Sequence, residues 1–187
     1  MTVTRLSFPY GESIEWFSPE QITNLPQQPF QDWLLSTCSL TKKLKTQCQH
    51  FEVKILGEDT LAPLEHSVTP QKMWIREVLL ILDGTPWVFA RTLIPGDLLA
   101  KKQQAFLGLG VRPLGELLYS ADEFTPGKIE VAHFEACTKI AKLAKSLNQE
   151  VNQPLWGRRR YFQYETEQLV VSEVFLPAAQ QAIEKLV

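Results

Sequence analysis

Apolar residues cluster along the chain in two long stretches that predict β-hairpins. The stretch from 73 to 95 is almost continuously apolar on either side of Asp83-Gly84, a dipeptide favoured in two-residue type I′ turns. The stretch from 155 to 177 has the same character, and Pro177 ends its second strand. Each stretch is therefore expected to contribute two antiparallel strands.

In the segments outside these strands, apolar residues recur at the spacing of an α-helix. Two short helices are predicted at 29–48, broken near residues 36–39, with Ser39 as the N-cap of the second helix. A further helix restarts at Pro113, because proline is tolerated in the first turn. The remaining predicted elements are helices at 97–110 and 135–150, a strand at 51–59 that Gly57 ends, and a strand at 128–134.

Adjacent hairpins with helices clustered between them favour an α+β fold, in which a single antiparallel sheet carries helices packed on one side. A chain of 187 residues is long enough for one well-buried domain, so we expect a single domain over 1–187. Within it, the polar residues 1–25 are predicted to be a loosely attached lead-in, and residues 135–150 a helical insert.

The strand at 73–82 carries an arginine, Arg76, where an apolar residue would pack better. Both faces of this strand are apolar, which predicts a central position in the sheet. The register of a two-residue turn places Arg76 opposite Arg91, and like charges in that position are destabilising. Two explanations follow: an anionic ligand lies nearby, or a protein carboxylate such as Glu77 neutralises the arginines.

The last predicted strand carries a carboxylate, Glu173, on an apolar face. Such a group is costly to bury unless it is paired. Glu173 either forms a structural salt bridge with Arg76, or the two line opposite ends of a pocket for a ligand with a carboxylate at one end and a hydroxyl at the other. Backbone amides at helix starts also favour anions, which adds Leu40 and Leu114 as candidate donors.

Composition argues against several other classes of protein. The net charge of −2 gives no basic field for nucleic acid, and the basic, aromatic run at 156–162 is isolated. Three cysteines and three histidines lack metal-ligand spacing, and the odd cysteine count is typical of a reducing cytosol. The N-terminal sequence lacks the pattern of a signal peptide, and no stretch is apolar enough to insert stably in a membrane. We therefore expect a cytoplasmic protein.

A set of short motifs occurs in a characteristic order from about residue 32 to residue 177. The set comprises WIRE at 74–77, DG at 83–84, PW at 86–87, ARTLIP at 90–95, LG at 107–108, PLG at 113–115, IE at 129–130, LWGRR at 155–159 and SEVFLP at 172–177. In this order the motifs resemble those of the bacterial chorismate lyases. Two departures stand out: the family often has Met where this chain has Leu40, and the segment between 130 and 155 is longer here.

The resemblance implies an antiparallel sheet flanked by helices, with a ligand enclosed beneath helical flaps. It also implies conversion of chorismate to 4-hydroxybenzoate and pyruvate, the first committed step toward ubiquinone, without metal or organic cofactor. Arg76 and the backbone amides of Leu40 and Leu114 would bind the ring carboxylate. Glu173 would face the ring hydroxyl, and Arg91 would lie nearby and meet either the enolpyruvyl carboxylate or an entering ligand. The expected partners are therefore chorismate and 4-hydroxybenzoate, bound by a monomer.

An alternative function is binding without catalysis. The UTRA effector domains of some bacterial winged-helix repressors resemble chorismate lyase in fold and bind small ligands. Such repressors carry an N-terminal DNA-binding domain, and the chain before Asp32 is too short for one. A stand-alone binding domain for an aromatic carboxylate stays open at this point, as does a structural domain in which Arg76 and Glu173 contact each other.

Overall fold

A computed structural model describes residues 14–61, 72–120 and 123–186 of the chain. These residues form a six-stranded sheet in which every neighbouring pair is antiparallel, in the order β1-β2-β3-β6-β5-β4. The strands are β1 (Phe51–Leu61), β2 (Met73–Leu82), β3 (Thr85–Pro95), β4 (Thr125–Phe134), β5 (Leu155–Tyr164) and β6 (Glu167–Phe175). The predicted antiparallel sheet is thus confirmed.

Short helices connect and cover the strands in the described part of the chain. They are α1 (Phe30–Leu34), α2 (Leu40–Lys45), α3 (Gly96–Lys101), α4 (Gln103–Leu107), α5 (Leu114–Ser120), α6 (Lys139–Ser146) and α7 (Pro177–Ile183). The predicted cap of α2 is confirmed, because the Ser39 hydroxyl accepts a hydrogen bond from the Lys42 amide at 3.4 Å. The helix predicted at 97–110 is divided into α3 and α4, and α7 was not predicted.

Both hairpins form where the sequence placed them. Asp83 and Gly84 have φ angles of 47° and 80°, the pair of positive values that a type I′ turn requires. The β5–β6 hairpin turns at Glu165, where φ is 48°. β1 does not end at Gly57 as predicted. The strand continues to Leu61 because an irregularity between Ile55 and Gly57 shifts its register instead of ending the pairing.

The predicted pairing of Arg76 with Arg91 is wrong. The pairing of β2 with β3 shifts between Leu80 and Ile81, and Trp87 is the extra residue on β3. Beyond this bulge Arg76 pairs with Thr92, and Arg91 pairs with Glu77. A bulge shifts the register by one residue. The β3 side chains beyond it therefore lie on the opposite face of the sheet from the one expected without a bulge.

The two faces of the sheet are covered differently. Helices α1, α2 and α7 pack on the face that carries Val78 and Ala90, and α4 and α5 extend the same cover over Trp74. This is the helical layer that the sequence predicted. Helix α6 lies on the other face, where Ile140, Leu143 and Ala144 pack with Leu79, Phe89 and Val174. The predicted insert at 135–150 thus contains a helix, and its buried apolar face accounts for its place in the fold.

The described part of the lead-in, residues 14–25, contacts β4. Phe17 pairs with Val131 of β4 through two backbone hydrogen bonds of 2.9 and 2.8 Å. The Trp16 ring packs edge-on against Phe134, with ring centroids 6.0 Å apart. Residues 1–13 lie outside the described residues. No helix in the described part of the chain has the length and apolar character needed to cross a membrane.

Candidate active site

Arg76 and Glu173 line the same small hollow on the helix-covered face of the sheet. Arg76 is on β2 and Glu173 is on β6, with β3 between them. Strand spacing of about 4.8 Å and a rise of about 3.3 Å per residue separate their Cα atoms by roughly 12 Å. No hydrogen bond or ion pair joins the two side chains in the described residues, so the structural salt bridge considered from the sequence is not formed.

The hollow adjoins a second one, and both are small. Each has a volume of about 30 Å³, and they share Thr41, Gly115, Val171 and Glu173 in their walls. A volume of that size holds about one water molecule, so it is smaller than an aromatic ring.

Arg76 has protein partners on two of its nitrogens. Nη1 donates to Oε1 of Glu58 at 2.6 Å, and Nη2 donates to the carbonyl of Gly110 at 2.6 Å. Burial lowers the pKa of Arg76 while the Glu58 carboxylate opposes that shift. A guanidinium remains charged at neutral pH. Since a guanidinium has five N–H donors, Arg76 keeps donors for a ligand oxygen.

Glu173 is paired with an arginine that sequence reasoning missed, Arg158. The two residues are direct partners in the β5–β6 register, and Nε of Arg158 donates to Oε2 of Glu173 at 2.8 Å. The Arg158 side chain is 2% exposed and that of Glu173 is 14% exposed. A signal for this pair was present in the sequence: a two-residue turn at 165–166 places residue 158 opposite residue 173.

A second unpredicted arginine, Arg160, borders the hollow beside Arg158. Its Nη1 donates to the Tyr119 hydroxyl at 2.7 Å and also to the carbonyl of Thr37. Burial raises the pKa of Tyr119, although the Arg160 charge acts in the other direction, so the phenol is neutral at physiological pH. Arg158 and Arg160 together hold the connection between α1 and α2 against the sheet.

The starts of α2 and α5 come together at the hollow. Leu40, the first residue of α2, lines the second hollow, and Leu114, the first residue of α5, lines the first. This approach depends on Gly115, because a Cβ atom at that position would lie 2.8 Å from Oγ1 of Thr41. The structure therefore brings Arg76, Glu173, Leu40 and Leu114 to one place.

Arg91 is not brought to this place. Its neighbours Ala90 and Thr92 line the hollow, so Arg91 points to the opposite face of the sheet. There, its Nε lies 3.5 Å from Oε1 of Glu77, whose side chain is 0% exposed. The neutralising role that the sequence suggested for Glu77 thus applies to Arg91, while Glu58 has that role for Arg76.

A larger hollow elsewhere is less suited to an anionic ligand. It has a volume of about 800 Å³, is open to solvent and contains Glu135 and Glu184 but neither arginine nor lysine. His133 and Trp156 also line it. No group of three His, Cys, Asp or Glu side chains suited to a metal ion occurs in the described residues. The hollow between Arg76 and Glu173 is therefore the better candidate site.

Comparisons with known proteins agree on one family. The family described as chorismate lyase matches residues 11–184 of the chain. A protein of Shewanella loihica named probable chorismate pyruvate-lyase is 60% identical over 187 residues, which cover 100% of both chains. A protein of the same name from Psychromonas ingrahamii is 41% identical over 153 residues, covering 79% of this chain and 82% of its own.

Solved structures show the same fold at low sequence identity. PhnF from Mycobacterium smegmatis aligns with a TM-score of 0.55 at 15% identity, covering 78% of this chain and 66% of PhnF. A GntR-family transcriptional regulator from Bacillus cereus has a TM-score of 0.50 at 12% identity, covering 68% and 92% of the two chains. The expected likeness to regulator effector domains is confirmed for the fold.

Proposed function

Because the chain belongs to the chorismate lyase family and is a lyase, we propose that it converts chorismate to 4-hydroxybenzoate and pyruvate. The product would enter the pathway to ubiquinone, and the reaction would need neither metal nor organic cofactor. The observation that supports this proposal is that Arg76 and Glu173 line one enclosed hollow without contacting each other. A cation at one end and a carboxylate at the other match a ring that carries a carboxylate opposite a hydroxyl.

In the proposed complex, Arg76 and the backbone amides of Leu40 and Leu114 bind the ring carboxylate. A charged hydrogen bond from a buried guanidinium is shorter and stronger than a neutral one, which favours Arg76 as the principal contact. Glu173 accepts a hydrogen bond from the ring hydroxyl. Because Arg158 occupies Oε2 of this carboxylate, Oε1 is the oxygen that faces the ligand. Arg91 has no part in this arrangement, since it lies on the other face of the sheet.

The chemistry requires little of the protein beyond positioning. The C3–O bond to the enolpyruvyl group breaks, the hydrogen on C4 leaves, and the ring becomes aromatic, so the reaction is strongly downhill. In a retro-ene route that hydrogen moves directly to the enolpyruvyl methylene, which yields pyruvate without a protein base. In a stepwise route Glu173 takes the C4 proton and later releases it, and the departing enolpyruvate takes up a proton at its methylene carbon to give pyruvate. Holding the substrate in the reactive conformer can supply up to about 7–11 kcal/mol of barrier lowering in well-oriented systems.

The assay that tests this function uses purified protein, chorismate and no added metal. Pyruvate and 4-hydroxybenzoate should appear in equal amounts, because each chorismate gives one of each. An Arg76→Ala variant should lose this activity, and Lys54→Ala, a change at an exposed residue of β1, should keep it. If 4-hydroxybenzoate binds tightly and no pyruvate forms, the non-catalytic binding domain is the correct alternative.

A further inference from the structure

We propose that Arg158 is a positioning residue for this reaction, which fixes the Glu173 carboxylate so that one oxygen faces the ligand hydroxyl. The inference rests on the function proposed above. It assigns a role to a buried arginine that does not bind the ring carboxylate. It also explains how a carboxylate and the Arg76 guanidinium can border the same hollow without joining each other.

Arg158 contacts only one oxygen of the Glu173 carboxylate. Nε of Arg158 donates to Oε2 of Glu173 at 2.8 Å, and Oε1 accepts no hydrogen bond from the described residues. Glu173 lines both parts of the hollow, and Arg158 lines the second. The guanidinium therefore occupies one carboxylate oxygen and leaves the other for a hydroxyl in the hollow.

The Arg158 guanidinium is itself held in place by backbone carbonyls. Nη1 of Arg158 donates to the carbonyl of Ser36 at 2.7 Å and to that of Trp33 at 3.3 Å. These carbonyls belong to the end of α1 and the turn after it. A planar guanidinium can bind a carboxylate and two carbonyls at once, whereas a lysine ammonium cannot reproduce that fork. The position of Glu173 is thus linked to the segment that leads into α2, whose residues Leu40 and Thr41 line the hollow.

Arg76 and Arg158 form separate ion pairs at the hollow. Each arginine has a carboxylate of its own: Glu58 pairs with Arg76 at 2.6 Å, and Glu173 pairs with Arg158 at 2.8 Å. With Arg158 absent, Glu173 would be a half-buried carboxylate that has lost its ion-pair partner, and a partly desolvated charge without a partner is costly. It would then turn toward Arg76 and lose its place beside the ligand hydroxyl.

The discriminating measurement is the ratio of the dissociation constants of benzoate and 4-hydroxybenzoate, which isolates the hydroxyl contact. In Arg158→Met we expect this ratio to fall by about tenfold or more, equivalent to about 1.4 kcal/mol. Benzoate affinity should change less, because Arg76 is retained. A role that is only structural would weaken both ligands alike and leave the ratio unchanged, which would overturn the proposal.

Arg160→Met is the matched control. Arg160 also donates to the α1–α2 connection, through the Thr37 carbonyl, and lines the same hollow, but it makes no contact with Glu173. In Arg160→Met the ratio of the benzoate and 4-hydroxybenzoate dissociation constants should stay within about twofold of wild type. That change is well below the fall of about tenfold expected for Arg158→Met. An equal fall of the ratio in both variants would mean that the α1–α2 connection, and not Glu173, determines the preference for 4-hydroxybenzoate over benzoate. That result would overturn the proposal.

Arg158→Lys gives a second test if the methionine variant does not fold. It keeps a cation but not the planar fork, so the ratio should fall at least about threefold while remaining above that of a variant without charge. An unchanged ratio would contradict the proposal. Pyruvate release by the wild-type protein is measured alongside. Its absence would refute the lyase function, whereas normal release with an unchanged ratio would refute only the role of Arg158.

Discussion

Glu77 and Arg91 face each other across β2 and β3 on the side of the sheet away from the candidate site, with Oε1 and Nε 3.5 Å apart. Both side chains are largely buried, at 0% and 10% exposure. The ion pair links two neighbouring strands on the face of the sheet away from the hollow. Arg91 and Arg76 therefore lie on opposite faces of the sheet, although both occur in similar apolar strands.

Replacement of Arg91 should therefore affect stability and not catalysis. We expect Arg91→Met to lower the free energy of unfolding by about 3–5 kcal/mol, because it removes one member of a buried ion pair with Glu77. The variant Glu77→Gln/Arg91→Met should recover part of that loss. Urea unfolding measures the stability, and KM for chorismate is measured on the folded fraction. A large rise in KM at unchanged stability would place Arg91 in the site after all.

Replacement of Arg76 should act on ligand binding. We expect Arg76→Ala to weaken binding of 4-hydroxybenzoate by about 10- to 100-fold, the effect of losing a hydrogen bond to a charged group worth about 1.5–3 kcal/mol. Turnover should fall as well, since the ring is less well oriented. Lys54→Ala is the control for a lost positive charge. Wild-type kinetics in Arg76→Ala would show that the carboxylate binds elsewhere.

The variant Glu173→Gln distinguishes an orienting role from that of a base. The glutamine side chain keeps an oxygen that can accept a hydrogen bond from the ring hydroxyl, but it cannot take up a proton at neutral pH. Because Arg158 already occupies one oxygen of Glu173, we expect orientation to be its role. Single-turnover rates should then fall by less than about the 10²-fold that marks general base catalysis. A loss of several orders of magnitude would favour the stepwise route.

The cluster around Glu130 predicts a pH dependence of stability. Burial raises the pKa of Glu130, but hydrogen bonds from Lys128, Arg159 and Tyr161 outweigh it and hold the pKa below the ordinary 4.5. A carboxyl with a lower pKa in the folded state adds stability above its unfolded pKa and loses it as the pH falls through the folded pKa. The stability advantage of wild type over Glu130→Gln should thus be constant near neutral pH and shrink below 4.5. An advantage that grows on acidification would contradict this assignment.

The sequence predicted most of the fold because local rules determine it. The turn at Asp83 and Gly84 and the cap at Ser39 require particular residue types at particular positions, and both form as expected. The bulge at Trp87 carries no such signal, since a tryptophan in an apolar strand is ordinary. One extra residue there was enough to exchange the partner of Arg76 and the face of Arg91.

The candidate site was predicted in part for a related reason. Arg76 and Glu173 stand out because charge is unusual on an apolar strand face. Arg158 and Arg160 were overlooked because they lie in a run of three arginines that reads as an exposed basic surface, whereas all three are buried. Long-range partners such as Glu58 for Arg76 depend on tertiary contacts that no local pattern contains.

The most direct test of the central claim is an experimental structure of the wild-type protein with 4-hydroxybenzoate. We predict that the ring lies between β2 and β6 beneath α2 and α5, with its carboxylate on Arg76 and its hydroxyl on Oε1 of Glu173. Oε2 should remain bonded to Arg158. A reversed ring, or a ligand in the open hollow beside His133, would contradict the account.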